Sequence, residues 1–99
     1  MPDRDALSDE QIDAGLPEGW RRIQAAPGNR ISREFRFSNF RTAMGFIVRV
    51  GFEAEAMDHH PELFNVYDRV AIALTTHDAG DRVTETDLEL ARRINALAD

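Results

Sequence analysis

Residues 30–61 read RISREFRFSNFRTAMGFIVRVGFEAEAMDHHP, and this stretch decides the fold. Its first part alternates. Ile31, Arg33, Phe35 and Phe37 share one parity, with Arg30, Ser32, Glu34 and Arg36 on the other, the period of a strand with one mixed-to-apolar face. Ser38 then stands where a helix N-cap belongs. Phe40, Ala43, Met44, Ile47, Val50, Gly51 and Ala54 recur at three- and four-residue steps, which predicts one apolar face of a long central helix. Phe46 and Phe52 lie off that stripe. They are expected either to pack at its margins or to form a second apolar face used in oligomerisation. Pro61 ends the helix, because the residue before a proline avoids the α region.

The pattern extends in both directions. Upstream, Ser8 to Gln11 reads as a capping box that opens a short helix over about Asp9–Ala14, stopped at Gly15. Gly19–Gln24 reads as a short strand, and Ala25-Ala26-Pro27-Gly28-Asn29 carries turn chemistry, so the first two strands form a hairpin. Downstream, Glu62–Tyr67 and Arg69–Thr76 form a second strand pair, with Val70, Ile72 and Leu74 alternating. Thr84-Glu85-Thr86-Asp87 reads as another capping box, opening a last helix that buries Leu88, Ala91, Ile94 and Leu97 or Ala98. The order α-β-β-α-β-β-α predicts an α+β, two-layer domain: a four-stranded antiparallel sheet with three helices on one face. Residues 1–7 read as a flexible N-terminal tail and 8–99 as a single domain.

Bulk properties narrow the function. The chain has 99 residues, enough for one domain with a modest core, which self-association would enlarge. A net charge of -6 argues against a nucleic-acid surface, because phosphate binding wants a basic patch. The absence of cysteine excludes disulfides, thiolate catalysis and Cys-ligated zinc. The N-terminus MPDRDALSDE has no apolar run of a signal peptide, and no stretch approaches a membrane span, so a cytoplasmic protein is expected.

The candidate chemistry lies in three histidines, His59, His60 and His77. Histidine is the side chain that both takes and gives a proton near neutral pH. If the central helix runs to about Met57, its last carbonyls point toward Asp58, His59 and His60, and the negative end of the helix dipole favours a protonated imidazole there. Three histidines also suffice for zinc. Yet no His-Glu-x-x-His or His-x-His motif is present, and neighbouring side chains in extended backbone point to opposite sides. No metal is therefore expected. Taken singly, Glu55 reads as a solvated helix position, Asp87 as the acidic member of a capping box, and Thr75 and Thr76 as ordinary strand residues.

Together these residues resemble a known signature. The run Glu55-Ala56-Met57-Asp58-His59-His60-Pro61-Glu62, then Tyr67, Thr76-His77 and Asp87, resembles that of the pterin-4a-carbinolamine dehydratases. Leu16 to Trp20, Phe35-x-Phe37, Gly45-Phe46, Arg49-Val50 and Phe64-Asn65-Val66-Tyr67-Asp68-Arg69-Val70 are similar as well, so the likeness spans about residues 7–98. Two departures stand out: Leu63 occupies a position where the family usually has an aromatic, and the connection from Asp78 to Thr86 is one residue longer than usual. The resemblance implies a lyase that dehydrates 4a-hydroxytetrahydropterin to quinonoid dihydropterin, with no cofactor, as a homodimer or homotetramer. It also implies a functional link to an aromatic amino-acid hydroxylase. It assigns proton transfer to His59 and His77, and binding and orientation to His60. Glu55, Asp58, Pro61, Thr75 and Thr76 would line the substrate site, with Asp87 orienting a histidine. The competing expectations are a dimerisation or coactivator-type binding module, and a related enzyme of molybdopterin metabolism.

Overall fold

A computed structural model describes residues 4–98. The elements are α1 (Asp9–Gly15), β1 (Arg21–Ala25), β2 (Gly28–Arg36), α2 (Phe40–Ala56), β3 (Glu62–Val66), β4 (Arg69–Leu74), a 3₁₀ turn (His77–Ala79) and α3 (Glu85–Ala98). The strands form one antiparallel sheet in the order β1-β2-β4-β3. Each hairpin therefore pairs internally, and the two join through β2 and β4, where Ile31 lies opposite Leu74 and Phe35 opposite Val70. Those four residues and Ile72 are buried with Ala43, Val50 and Ala54 of α2, Leu90, Ala91 and Ile94 of α3 and Ile12 of α1. The expected α+β architecture and its element order are what the chain adopts.

Four local expectations change. The N-cap of α2 is Asn39, not Ser38: the backbone is still extended at Asn39, and its side-chain oxygen accepts from the Thr42 amide. Of two adjacent cap-competent residues, the one that immediately precedes the first helical residue does the capping. Gly15 is the last residue of α1 rather than a stop beyond it. The first strand starts at Arg21, because Gly19 turns the chain at a φ of 84°. Tyr67 leaves β3 to form the hairpin turn at a φ of 51°.

The larger correction concerns α2. Phe46 is fully buried, while Phe40 and Met44 are exposed. The buried stripe is Ala43, Phe46, Val50 and Ala54, rotated from the expected one. The cause is aromatic packing: the Phe46 ring lies 4.9 Å from that of Phe35 and 4.8 Å from that of Phe37, both on or beside β2. Such ring pairs add to simple burial. Phe52, by contrast, is 73% exposed.

One close approach fixes the loop that matters most for the site. A Cβ on Gly28 would meet the Asp81 carbonyl oxygen at 1.9 Å, so only glycine allows β2 to begin against the 80–82 segment. The next residue, Asn29, clamps the same segment. Its amide donates to the Asp81 carbonyl (3.0 Å), and its side-chain oxygen accepts from the Val83 amide (2.8 Å).

Candidate active site

The C-terminal end of α2, the end of β4 and the N-terminal end of α3 meet at one end of the sheet. A cleft of about 280 Å³ opens there, lined by Arg4, Asp58, His59, His60, Thr75, His77 and Asp78. All three histidines therefore reach one cavity, although His77 is far from the other two in the chain.

The turn after α2 sends the neighbouring histidines in different directions. The Met57 amide still bonds to the Glu53 carbonyl, that of Asp58 to Glu55 and that of His59 to Ala54, which closes the helix. Asp58 adopts a φ of 49°, a left-handed conformation that aspartate tolerates better than most residues. His59 then turns inward and His60 outward. The His59 side chain is only 5% exposed, against 63% for His60 and 93% for His77.

Each imidazole faces a carboxylate. His59 Nε2 lies 2.5 Å from Asp87 Oδ1, with Asp87 fully buried. His60 Nε2 lies 2.9 Å from Glu55 Oε1, and His77 Nδ1 lies 3.1 Å from Asp81 Oδ1. A carboxylate on one ring nitrogen orients the imidazole and leaves the other nitrogen for a reactant. Asp87 is itself secured: Oδ2 accepts from the Thr84 amide and from the Thr76 hydroxyl, each at 2.8 Å. The Thr84–Asp87 capping box is thus half formed. The Thr84 hydroxyl pairs with that of Thr76 at 2.7 Å, and the same aspartate that caps α3 holds His59.

The remaining expected site residues divide. Asp58 and Thr75 line the cleft, and the Thr75 hydroxyl donates to the Asn29 carbonyl at 2.9 Å. Glu55 stands behind His60, Thr76 behind Asp87, and Pro61 does not line the cleft. Three participants escaped the sequence reading. Asp81 stands four residues after His77, a spacing that signals contact only if a helical turn is assumed there. Arg4 had no signal at all, and Thr84 was legible only as a cap. Among the described residues no group of three or more His, Asp or Glu side chains converges as metal ligands would. No described helix is long and apolar enough to cross a membrane.

Comparison with known proteins adds to this geometry. A family model described as pterin 4 alpha carbinolamine dehydratase matches residues 5–97. A protein of Opitutus terrae assigned the name pterin-4-alpha-carbinolamine dehydratase is 47% identical over 98 residues, 99% of this chain and 97% of its own. A Burkholderia cenocepacia protein assigned the same name is 53% identical over 85 residues, covering 85% of this chain and 78% of its own. The crystal structure of a Brucella melitensis protein described as a transcriptional coactivator/pterin dehydratase superposes with a TM-score of 0.85 at 38% identity. It covers 96% of this chain and all of that one.

Proposed function

The chain belongs to the pterin-4a-carbinolamine dehydratase family, and on that premise we propose that its three histidine–carboxylate pairs dehydrate 4a-hydroxytetrahydropterin. The observation that carries this reading is the convergence of all three imidazoles on one cleft, each with a carboxylate behind it. In the reaction a base takes the N5 proton, the N5–C4a bond becomes double, and the C4a hydroxyl is protonated and leaves as water. The step is redox-neutral and needs one acid and one base, each worth on the order of 10²–10⁴-fold.

The exposed imidazoles are suited to those two transfers. His60 and His77 present their rings to the cleft from different elements, backed by Glu55 and Asp81. His59, tied to Asp87, contributes a fixed edge against which the pterin is oriented. This division exchanges the roles that the resemblance carries for His59 and His60, on the ground of their exposure. Asp58 and Thr75 supply polar contacts to the pterin edge. The product, a quinonoid dihydropterin, needs reduction by a separate reductase before it again serves an aromatic amino-acid hydroxylase as tetrahydropterin in the cytoplasm.

The decisive assay follows dehydration of freshly generated 4a-hydroxytetrahydropterin by ultraviolet absorbance. The protein is expected to accelerate it well above the spontaneous rate, and competition between pterins should favour the 4a-carbinolamine. A folded protein that gives no acceleration removes the proposal.

A homodimer or homotetramer completes the reading. Phe40, Met44, Val48 and Phe52 recur every four residues on the outer side of α2 and are exposed, as are Leu63, Phe64 and Val66 on the edge strand β3. An apolar row and an open edge are the two surfaces a monomer keeps small. Sedimentation equilibrium should give at least twice the 11.2 kDa chain mass, reduced by Phe52→Asp. A wild-type mass of one chain at working concentration would rule the oligomer out.

A further inference from the structure

α2 ends without a basic residue in its last turn, yet a cation sits on its C-terminal carbonyls. That cation is Arg4, more than fifty positions away in the chain. One guanidinium nitrogen, NH2, donates to the Met57 carbonyl at 3.1 Å and to the Asp58 carbonyl at 3.0 Å. The arm that carries Arg4 is anchored a few residues later: the Leu7 amide donates to the Val83 carbonyl at 3.0 Å, and Leu7 packs on the core.

These two carbonyls flank the left-handed residue of the turn. Asp58, at a φ of 49°, sets the direction in which His59 enters toward Asp87 and His60 emerges into the cleft. A left-handed non-glycine residue is intrinsically disfavoured and persists where its surroundings hold it. Carbonyls at a helix C-terminus carry the negative end of its dipole and bond well to a cation. Arg4 supplies both the bonds and the charge at the one place where the turn needs them.

We propose that Arg4 is a positioning residue: the N-terminal arm latches the turn at Met57–Asp58 and thereby holds His59 and His60 in their working directions. This inference deepens the dehydratase reading and rests on it for its catalytic consequence, though not for its structural one. Because a single nitrogen makes both bonds, a lysine ammonium, with three donors on one nitrogen, can replace it. A methionine of similar length cannot.

The test compares the whole chain as wild type, Arg4→Lys and Arg4→Met. Amide hydrogen exchange at His59, whose N–H bonds to the Ala54 carbonyl, reads the turn without any substrate. Arg4→Met should speed that exchange by roughly tenfold while leaving Val70 and Ile72 unchanged, since losing charge-assisted bonds loosens the turn locally. Arg4→Lys should stay within about threefold of wild type, by the same bond count. In the dehydration assay Arg4→Met should lower kcat by about tenfold with little change in KM, as expected when catalytic groups are misaligned rather than binding contacts removed. Unchanged exchange at His59 in Arg4→Met overturns the latch, whatever the activity. Equal loss in Arg4→Lys and Arg4→Met also overturns it, since the guanidinium would then act through something other than these two bonds. If the wild type itself fails to dehydrate the pterin, the exchange result still decides the latch, and only the functional reading falls.

Discussion

Replacing His77 by alanine is expected to cut dehydration turnover on the order of 10²–10⁴-fold, and replacing His60 to do the same. The two side chains are 93% and 63% exposed, so neither supports the core, and substitutions at such positions usually change stability by no more than about 0.5 kcal/mol. Loss of activity in these variants therefore reports chemistry rather than folding. Steady-state kinetics, with circular dichroism to confirm an intact fold, is the measurement. A pterin that loses one of its two proton partners should still bind, so kcat should fall further than KM rises. The Glu55→Gln and Asp81→Asn variants should show the same trend more weakly, since each carboxylate acts only through its histidine. If His60→Ala retains wild-type turnover, the division of labour proposed from exposure is wrong, and proton transfer returns to His59.

Asp87→Ala should be the most damaging substitution for stability, by about 3–5 kcal/mol, the usual penalty for breaking a buried pair. Asp87 is fully buried and accepts from the Thr84 amide and the Thr76 hydroxyl while facing His59. Alanine leaves the Thr84 amide and His59 without their carboxylate and the Thr76 hydroxyl with only that of Thr84, and an unsatisfied buried polar group is costly. For a small domain with a total stability of about 5–15 kcal/mol, that is a large share. Urea denaturation should show a lower midpoint with an unchanged slope. Asp87→Asn is the gentler probe. Its carbonyl oxygen can still cap α3, so the loss should be smaller, but the charge opposite His59 is gone. Turnover should then drop by roughly 10–100-fold, the scale found where a supporting group that orients a histidine is removed. An Asp87→Ala protein as stable as wild type would show that this buried network contributes nothing to the fold.

Much of the fold was legible because its signals are local. The alternation from Arg30 to Phe37 and the Ser8–Gln11 capping box concern residues a few positions apart, and period and capping chemistry are set by the backbone. The end of α2 was placed too late: the helix closes at Ala56 and the chain turns at Asp58, ahead of Pro61. The rotation of α2 was not legible. Phe40, Met44 and Phe46 are comparably apolar, and the choice among them is made by Phe35 and Phe37 across the layer. The Asn39 cap was ambiguous for a simpler reason: two adjacent residues could serve, and the backbone path selects one.

For the site, the sequence by itself determined which residue types could act: three imidazoles, with Glu55, Asp58 and Asp87 at motif spacing. Only the tertiary structure decided their partners. The connection between Asp78 and Thr86 brings Asp87 against His59, because Thr76 and Thr84 hold the carboxylate from both of its ends. Asp81 reaches His77 across a 3₁₀ turn pinned by the glycine contact at Gly28. Arg4 reaches Met57 and Asp58 from the other end of the chain. A single sequence carries no signal for such contacts. They depend on where separate elements end in space, and that follows from how the helices and the sheet pack rather than from any residue's neighbours in the chain.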